Sequence, residues 1–401
     1  MTMDFKPSER AAAVAAQIRT FVEERLFALE LAPDTYDAHE NIREHLLEQQ
    51  RTAARAAGIW ALQAPVEYGG RGFAICEMAL CYEEANRSIF GPAAFNIAAP
   101  DDGNIALLAR AATPTQCERW LRPIVEGRVR SSFVMTEPAP GAGSDPGQML
   151  TRAERISGGW RITGRKWFVT GGEAAAHFIL IARTSADARR GLTAFLFHRD
   201  QPGWRIVRRI PIMGPEEHGG HCELDFDGLE VPDADVLLNV GDGLKATQIR
   251  LGVARLTHCM RWLGLARRSL EIGHAYVRER TAFGSTLAER ESVRLLLARA
   301  ATAVEIGRLL TMRAAVKIDA GDFARKEISM AKVHVADTLH LAVDTALQLN
   351  GARGYSRDTV LEWIYRYARQ ARLVDGASEV HNMVVSRYFL EEGRDFWRWQ
   401  T

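Results

Sequence analysis

The sequence predicts an α+β fold in three consecutive parts: an all-α domain over residues 1–130, a β domain over 131–240 and an α-helical bundle over 241–401. Three observations carry this. Apolar residues recur at helical spacing near the start, the period changes to strand alternation in the middle, and long helical stripes return afterwards. A helix–sheet–helix order without alternating βα units excludes a simple doubly wound nucleotide fold.

In the first part Ser8 is placed to N-cap a helix, with Glu9 in its first turn. Val14, Ile18, Phe21, Val22 and Leu26 then form one apolar stripe. Pro, Gly and Asn interrupt the pattern at 67–72 and 99–104, which read as loops. In the second part residues 159–170 read as a hairpin turning at Thr163-Gly164. The apolar run 178–182 suits a buried strand. Cys222, Leu224 and Phe226 alternate with Glu223, Asp225 and Asp227, the mark of a half-buried strand. The whole reads as a compact, mostly antiparallel β domain. In the third part Ile328, Ala331, Val335, Leu339, Ala342, Ala346 and Leu349 step by three or four, as in a helical bundle. The aromatic end at 394–401, with Trp397 and Trp399, packs either on a neighbouring subunit or on its own domain; the sequence leaves both open.

The 401 residues allow two or three domains at about 150 residues each. Hydrophobic residues make up 47% and charged residues 25%, which is ordinary soluble usage. With 51 Lys+Arg against 50 Asp+Glu, the formal charge of +1 points to neither nucleic acid nor an anionic membrane as partner. Five scattered cysteines, none in a C-x-x-C pair, argue against disulfides or zinc and for a reducing, cytoplasmic location. The charged N-terminus does not read as a signal peptide, and no run of about 20 apolar residues predicts a membrane span.

His39 and His45 lie six apart, about 240° around a helix, so they do not share a metal ion from one face. His218-Gly-Gly-His221 reads as a turn. No metal site is expected. Two stretches carry more chemistry. Residues 133–145, F-V-M-T-E-P-A-P-G-A-G-S-D, bring backbone N–H groups and the Thr136 and Ser144 hydroxyls to a rigid loop, which serves a bound ligand or a plain surface turn. Residues 164–172, G-R-K-W-F-V-T-G-G, put Phe168 and Thr170 on one side of a strand. A ring beside a hydroxyl suits a flat heteroaromatic cofactor; the competing reading makes Phe168 core.

Together these stretches resemble the acyl-CoA dehydrogenase family: its T-E-P-x-A-G-S-D loop and its G-x-K-x-[WF]-[IV]-[TS] flavin strand. The resemblance runs along nearly the whole chain. V-E-Y-G-G at 66–70 is similar to P-E-x-Y-G-G, R-T-A-F-G at 280–284 to R-x-x-F-G, and Q-L-N-G-A-R-G at 348–354 to Q-x-x-G-G-x-G. Arg366 stands nine residues before Asp375-Gly376, the family's spacing to its E-G-T-S-Q segment.

The resemblance implies an acyl-CoA dehydrogenase-like fold with a middle β-barrel domain, FAD as cofactor, and α,β-desaturation of an acyl-CoA in fatty acid β-oxidation. It also implies a homodimer or homotetramer and an electron-transfer flavoprotein as acceptor. Phe133, Met135, Thr136 and Ser144 would line the flavin, Phe168 would stack on it and Thr170 would hydrogen-bond its N5. Arg280, Gln348 and Gly351 would hold the FAD of the partner subunit, and Phe283, Asn350, Ala377 and Glu379 join the cofactor set. Ser144, Arg255 and Gly376 would line the acyl-CoA channel.

The chain departs from the family pattern in four places. Ala139-Pro140 is inserted in the loop, Gly252 stands where many members carry Asp, Glu379 replaces a Gln, and Asp375 replaces the catalytic Glu. Some members move that Glu to an earlier helix, but the matching position here is Ala254. D-G-x-x-E-V-H at 375–381, L-G-x-x-R-x-x-H-C-M-R at 251–261 and A-P-D-D-G-N at 99–104 resemble the branch with mammalian members ten and eleven. That branch also carries Asp as base and is associated with longer or 4-hydroxylated acyl-CoAs.

Asp reaches about 1.5 Å less far than Glu, which costs about 10²-fold unless backbone or substrate sits closer. Burial on substrate closure is expected to raise its pKa from about 3.9. Two other readings fit the same residues: a flavin oxidase resembling nitroalkane oxidase, which also uses an Asp base, and a catalytically silent acyl-CoA-binding flavoprotein.

Overall fold

The computed structural model describes residues 7–187 and 190–398. Four helices frame the first part: α1 (Glu9–Phe21), α2 (Glu44–Ala56), α3 (Ile75–Ala85) and α4 (Asp101–Ala111). Ser8 caps α1 by accepting from the Ala11 N–H at 3.1 Å, and the stripe from Val14 to Leu26 is buried. The segment 99–104 is not a loop. Pro100 precedes α4, and Asp101 and Asp102 open the helix where its positive end favours them. Gly103 belongs inside the helix for a packing reason, since a Cβ there would lie 3.1 Å from Ala254 Cβ on the helix it crosses.

Eight strands follow: β1 (Arg130–Val134), β2 (Arg152–Ile156), β3 (Gly159–Thr170), β4 (Ala175–Arg183), β5 (Leu192–His198), β6 (Trp204–Arg209), β7 (His221–Pro232) and β8 (Val236–Leu237). They form one sheet in the order β6-β7-β3-β2-β4-β5-β8, with β1 parallel on β4 and most other pairs antiparallel. The strands enclose one apolar core around Phe178, Phe195, Phe197 and Phe226, although the hydrogen-bonded path ends at β6 and β8. Phe178, Leu180 and Ala182 face that core while Ile179 and Ile181 face the helices, which is why 178–182 is apolar without alternation.

The expected hairpin within 159–170 is absent. β3 runs straight through Gly164, where the ladder with β7 shifts register between Ile162 and Thr163. Gly164 (φ +147) presses on Thr151, whose Cα would be 2.7 Å from an added Cβ. The glycine thus serves a bulge and close approach rather than a reversal. The turn falls one strand earlier, at Ser157-Gly158, between β2 and β3.

The last part holds α5 (Gly243–Glu279), a β9–β10 hairpin (Thr281–Ala282, Ser285–Thr286), α6 (Glu291–Asp319), α7 (Arg325–Asn350), α8 (Leu361–Ala368) and α9 (Ser378–Glu392). The stripe from Ile328 to Leu349 is the buried face of α7. From Leu256 to Ala266 every residue of α5 is buried, as befits a helix packed on several sides. At the chain's end Trp397 meets Phe389 and Phe396 of its own domain with ring centroids 5.9 and 4.9 Å apart, and Trp399 lies outside the described residues. Among the described residues no helix is long and apolar enough to cross a membrane.

Candidate active site

A cavity of about 1100 Å³ lies where the loop after β1, the end of β3, the first half of α5, the start of α7 and the segment before α9 converge. Phe133, Met135, Thr136, Ser144, Phe168, Thr170, Arg255, Asp375 and Gly376 all line it.

The loop is held by a buried pair. Lys166 Nζ donates to Glu137 Oε1 at 2.9 Å and to the Met135 carbonyl at 2.8 Å. The Glu137 carboxylate also accepts from the N–H groups of Ala142, Leu150 and Thr151. Although burial raises it, Lys166 and these donors hold Glu137 below the usual carboxylate range. The Trp167 N–H donates to the Thr136 carbonyl at 2.9 Å. Inserted Ala139-Pro140 is exposed, with Ala139 on the cavity lining, inside a turn closed by the Glu137 N–H on the Ala142 carbonyl. The insertion therefore leaves Met135 and Thr136 anchored to β3.

Phe168 is not core. It is 44% exposed, faces the cavity and sits at φ +48, a conformation a bulky side chain rarely adopts. A second register shift between Lys166 and Val169 accommodates it. Thr170 lines the same wall; its Oγ1 lies 3.1 Å from His221 Nδ1 and its carbonyl accepts from Ser132 Oγ at 2.8 Å. An aromatic face open to a cavity, flanked by the hydroxyls of Thr136, Ser144 and Thr170, fits a flat heteroaromatic group such as a flavin.

Asp375 lines the same cavity at φ +50, which Asp tolerates better than most residues. Arg250 Nη1 lies 3.1 Å from Oδ1 and 3.4 Å from Oδ2, and His258 Nε2 lies 3.4 Å from Oδ2. Arg255 Nε donates to the Asp375 carbonyl at 2.7 Å, and buried Lys332 donates to the Gly376 carbonyl at 2.6 Å. Burial pushes the Asp375 carboxyl upward, but Arg250 and His258 outweigh it and hold the group well below the carboxylate range. The convergence of these cations on one carboxylate is not revealed by the sequence.

Glycine at 252 leaves open space: an added Cβ would meet nothing within 4 Å. Ala254 is buried against Gly103, so no longer side chain fits there. Arg325, Arg366, Arg369 and Arg387 add positive charge around the cavity of a nearly neutral chain.

Arg280, Phe283, Gln348, Asn350, Gly351, Ala377 and Glu379 do not line the cavity. Phe283 is 98% exposed on the β9–β10 hairpin, and Arg280 and Gln348 are exposed. Asn350 is buried with its Oδ1 unpartnered at the C-terminus of α7.

Sequence reasoning missed Arg250, His258, Lys332 and His221 as site residues. The A-P-D-D-G-N segment also has a role beyond marking a branch. Asp101 accepts from the Ser131 N–H and Oγ at 2.7 Å, and Asn104 contacts Ser131 and Arg250. The signal was present as the paired 99–104 and 251–261 motifs, but not the contact between them.

Comparisons with known proteins agree along the whole length. The acyl-CoA dehydrogenase N-terminal domain family matches residues 8–128, the middle domain family 132–229 and the C-terminal domain family 241–390. A Mycobacterium tuberculosis protein named "Probable acyl-CoA dehydrogenase FadE2" is 36% identical over 96% of both chains. Acyl-CoA dehydrogenase family member 11 of Gallus gallus is 33% identical over 96% of this chain, which spans 51% of that protein. A Mycobacterium abscessus structure solved as a candidate acyl-CoA dehydrogenase superposes with a TM-score of 0.88 at 34% identity, covering 96% of this chain and 99% of the other.

Proposed function

The chain belongs to the acyl-CoA dehydrogenase family, whose members are FAD-dependent oxidoreductases, and on that premise we propose that Asp375 is the base that removes the α-proton of an acyl-CoA thioester. The observation that supports this is that the Asp375 carboxylate and the exposed aromatic face of Phe168 line one cavity. Bound FAD supplies the acceptor for the β-hydride. Phe168, Thr170, Met135, Thr136, Ser144 and Phe133 are the groups on the cavity wall that would hold its ring. Ser144, Arg255 and Gly376 border the path of the acyl-CoA.

The protein's own part is position and charge. Arg250 favours the deprotonated form of Asp375. The cost is weak basicity, which close approach and polarisation of the thioester must offset. The electrons leave to an electron-transfer flavoprotein, and the working unit is a homodimer or homotetramer. Arg280, Gln348 and Gly351 serve the cofactor of the partner subunit, and Phe283, Asn350, Ala377 and Glu379 belong to the cofactor set; unpartnered Asn350 Oδ1 and exposed Arg280 support this.

The product identifies the reaction. Acyl-CoAs incubated with the holoenzyme and an electron acceptor should lose two hydrogens by mass, with the new double bond between the α- and β-carbons; recovery of every thioester unchanged would oppose the proposal. Arg280→Ala should lower FAD retention after gel filtration, and full flavin occupancy would remove Arg280 from the cofactor site.

Arg250→Gln tests the electrostatics. Arg250 lowers the Asp375 pKa, so its removal raises that pKa and moves the acid limb of kcat/KM to higher pH. An unmoved limb would show that Arg250 does not set the ionisation of the base.

A further inference from the structure

The motif at 251–261 contains a histidine that the proposed reaction does not use. His258 lies behind Asp375 on α5, 9% exposed, with its ring stacked on Trp262 at 5.0 Å and 21°. Its Nδ1 is 3.2 Å from Arg261 Nη2. A guanidinium only donates, so Nδ1 is the acceptor and the ring's proton sits on Nε2. That nitrogen is the one 3.4 Å from Asp375 Oδ2.

Arg261 is itself fixed. Its Nη1 donates to the Ile97 carbonyl at 2.8 Å and pairs with Asp102, which also accepts from Thr257 Oγ1 at 2.6 Å. Asp102 and Arg261 are 1% and 3% exposed, so this pair acts in a dry region where orientation persists. The line Asp102–Arg261–His258–Asp375 thus runs from α4 through α5 to the cavity.

We propose that His258 is a positioning residue for the base: a neutral imidazole, held in the Nε2–H tautomer by Arg261, that steers Oδ2 of Asp375 and leaves the carboxylate as the proton acceptor. This rests on Asp375 being the base. The α-proton goes to the Asp375 carboxylate, and His258 keeps its own proton throughout. Burial also depresses the imidazolium form of His258, in agreement with the tautomer set by Arg261. The charged groups acting on the ring are Arg261 on α5, Asp102 on α4 and Asp375; Arg250 and Arg255 on α5, Lys332 on α7 and His381 on α9 act on Asp375, and Tyr82 on α3 and Tyr367 on α8 act on Arg261. The 3.4 Å contact is long for a hydrogen bond, and such contacts shorten when substrate closes a site.

Three variants of the holoenzyme test this beside Asp375→Asn. In His258→Leu the donor to Oδ2 is gone, so kcat should fall about 10- to 10²-fold with KM little changed. The acid limb of the pH profile should also rise. His258→Gln, whose amide reaches the place of Nε2, should restore most of kcat and the limb. His258→Asn, one methylene short, should behave like Leu; this pair carries the test if the Leu variant does not fold. The readouts are the pH profile and the rate of α-deuterium exchange into a 3-thia-acyl-CoA, which loses its α-proton but gives no hydride. Gln and Asn variants that exchange equally fast would overturn the positioning role. If Asp375→Asn exchanges at the native rate, the base assignment falls and His258 with it; if only the His258 variants are native-like, the base assignment stands alone.

Discussion

Asp375→Asn is expected to keep FAD bound and to lose flavin bleaching by acyl-CoA, with kcat lower by about 10²–10⁴-fold, the worth of a positioned general base. The substitution is nearly isosteric, so the φ of +50 and the contact of Arg255 with the backbone carbonyl persist. What disappears is the carboxylate that Arg250 and His258 hold ionised. An amide accepts no α-proton, and an uncompensated Arg250 then faces the cavity. Stopped-flow absorbance of the flavin reads the loss directly. Unchanged bleaching would place the base elsewhere.

Lys166→Met should destabilise the protein by about 3–5 kcal/mol, because breaking a buried ion pair leaves one charge uncompensated. Lys166 and Glu137 are 0% and 2% exposed in their side chains, so solvent screens neither. The three backbone N–H groups on Glu137 keep part of its stabilisation, which favours the lower end of that range. The effect reaches function through geometry. Lys166 also holds the Met135 carbonyl, and Met135 and Thr136 line the cavity proposed to take the flavin. Weakened FAD retention should accompany the lowered denaturation midpoint. A variant of native stability and full flavin content would show that the backbone donors alone hold the loop.

Much of the architecture was legible because periodicity reports burial. The stripe on α7 and the alternation on β7 each express one face against a core. The hairpin reading failed because Thr-Gly has the same signature in a turn and in a bulge; only the neighbour, Thr151, decides between them. The loop reading at 99–104 failed similarly, since Gly103 and Asn104 serve helix packing and a buried hydrogen bond. In the site, Phe168, Thr170 and Asp375 were readable from local motifs. Arg250 and His258 were not, because they meet Asp375 across more than a hundred residues of sequence and look locally like ordinary polar positions on a helix. Long-range electrostatics of this kind has no periodic trace.

The proposed reaction of this cavity is the dehydrogenation of acyl-CoA thioesters. Anaerobic titration of the holoenzyme with a panel of acyl-CoAs and a nitroalkane, followed by flavin absorbance, tests it most directly. Bleaching by at least one acyl-CoA is the predicted result. Bleaching by the nitroalkane alone would make the protein an oxidase of the same fold, and no bleaching by any compound would make it a silent flavoprotein; either would contradict the account.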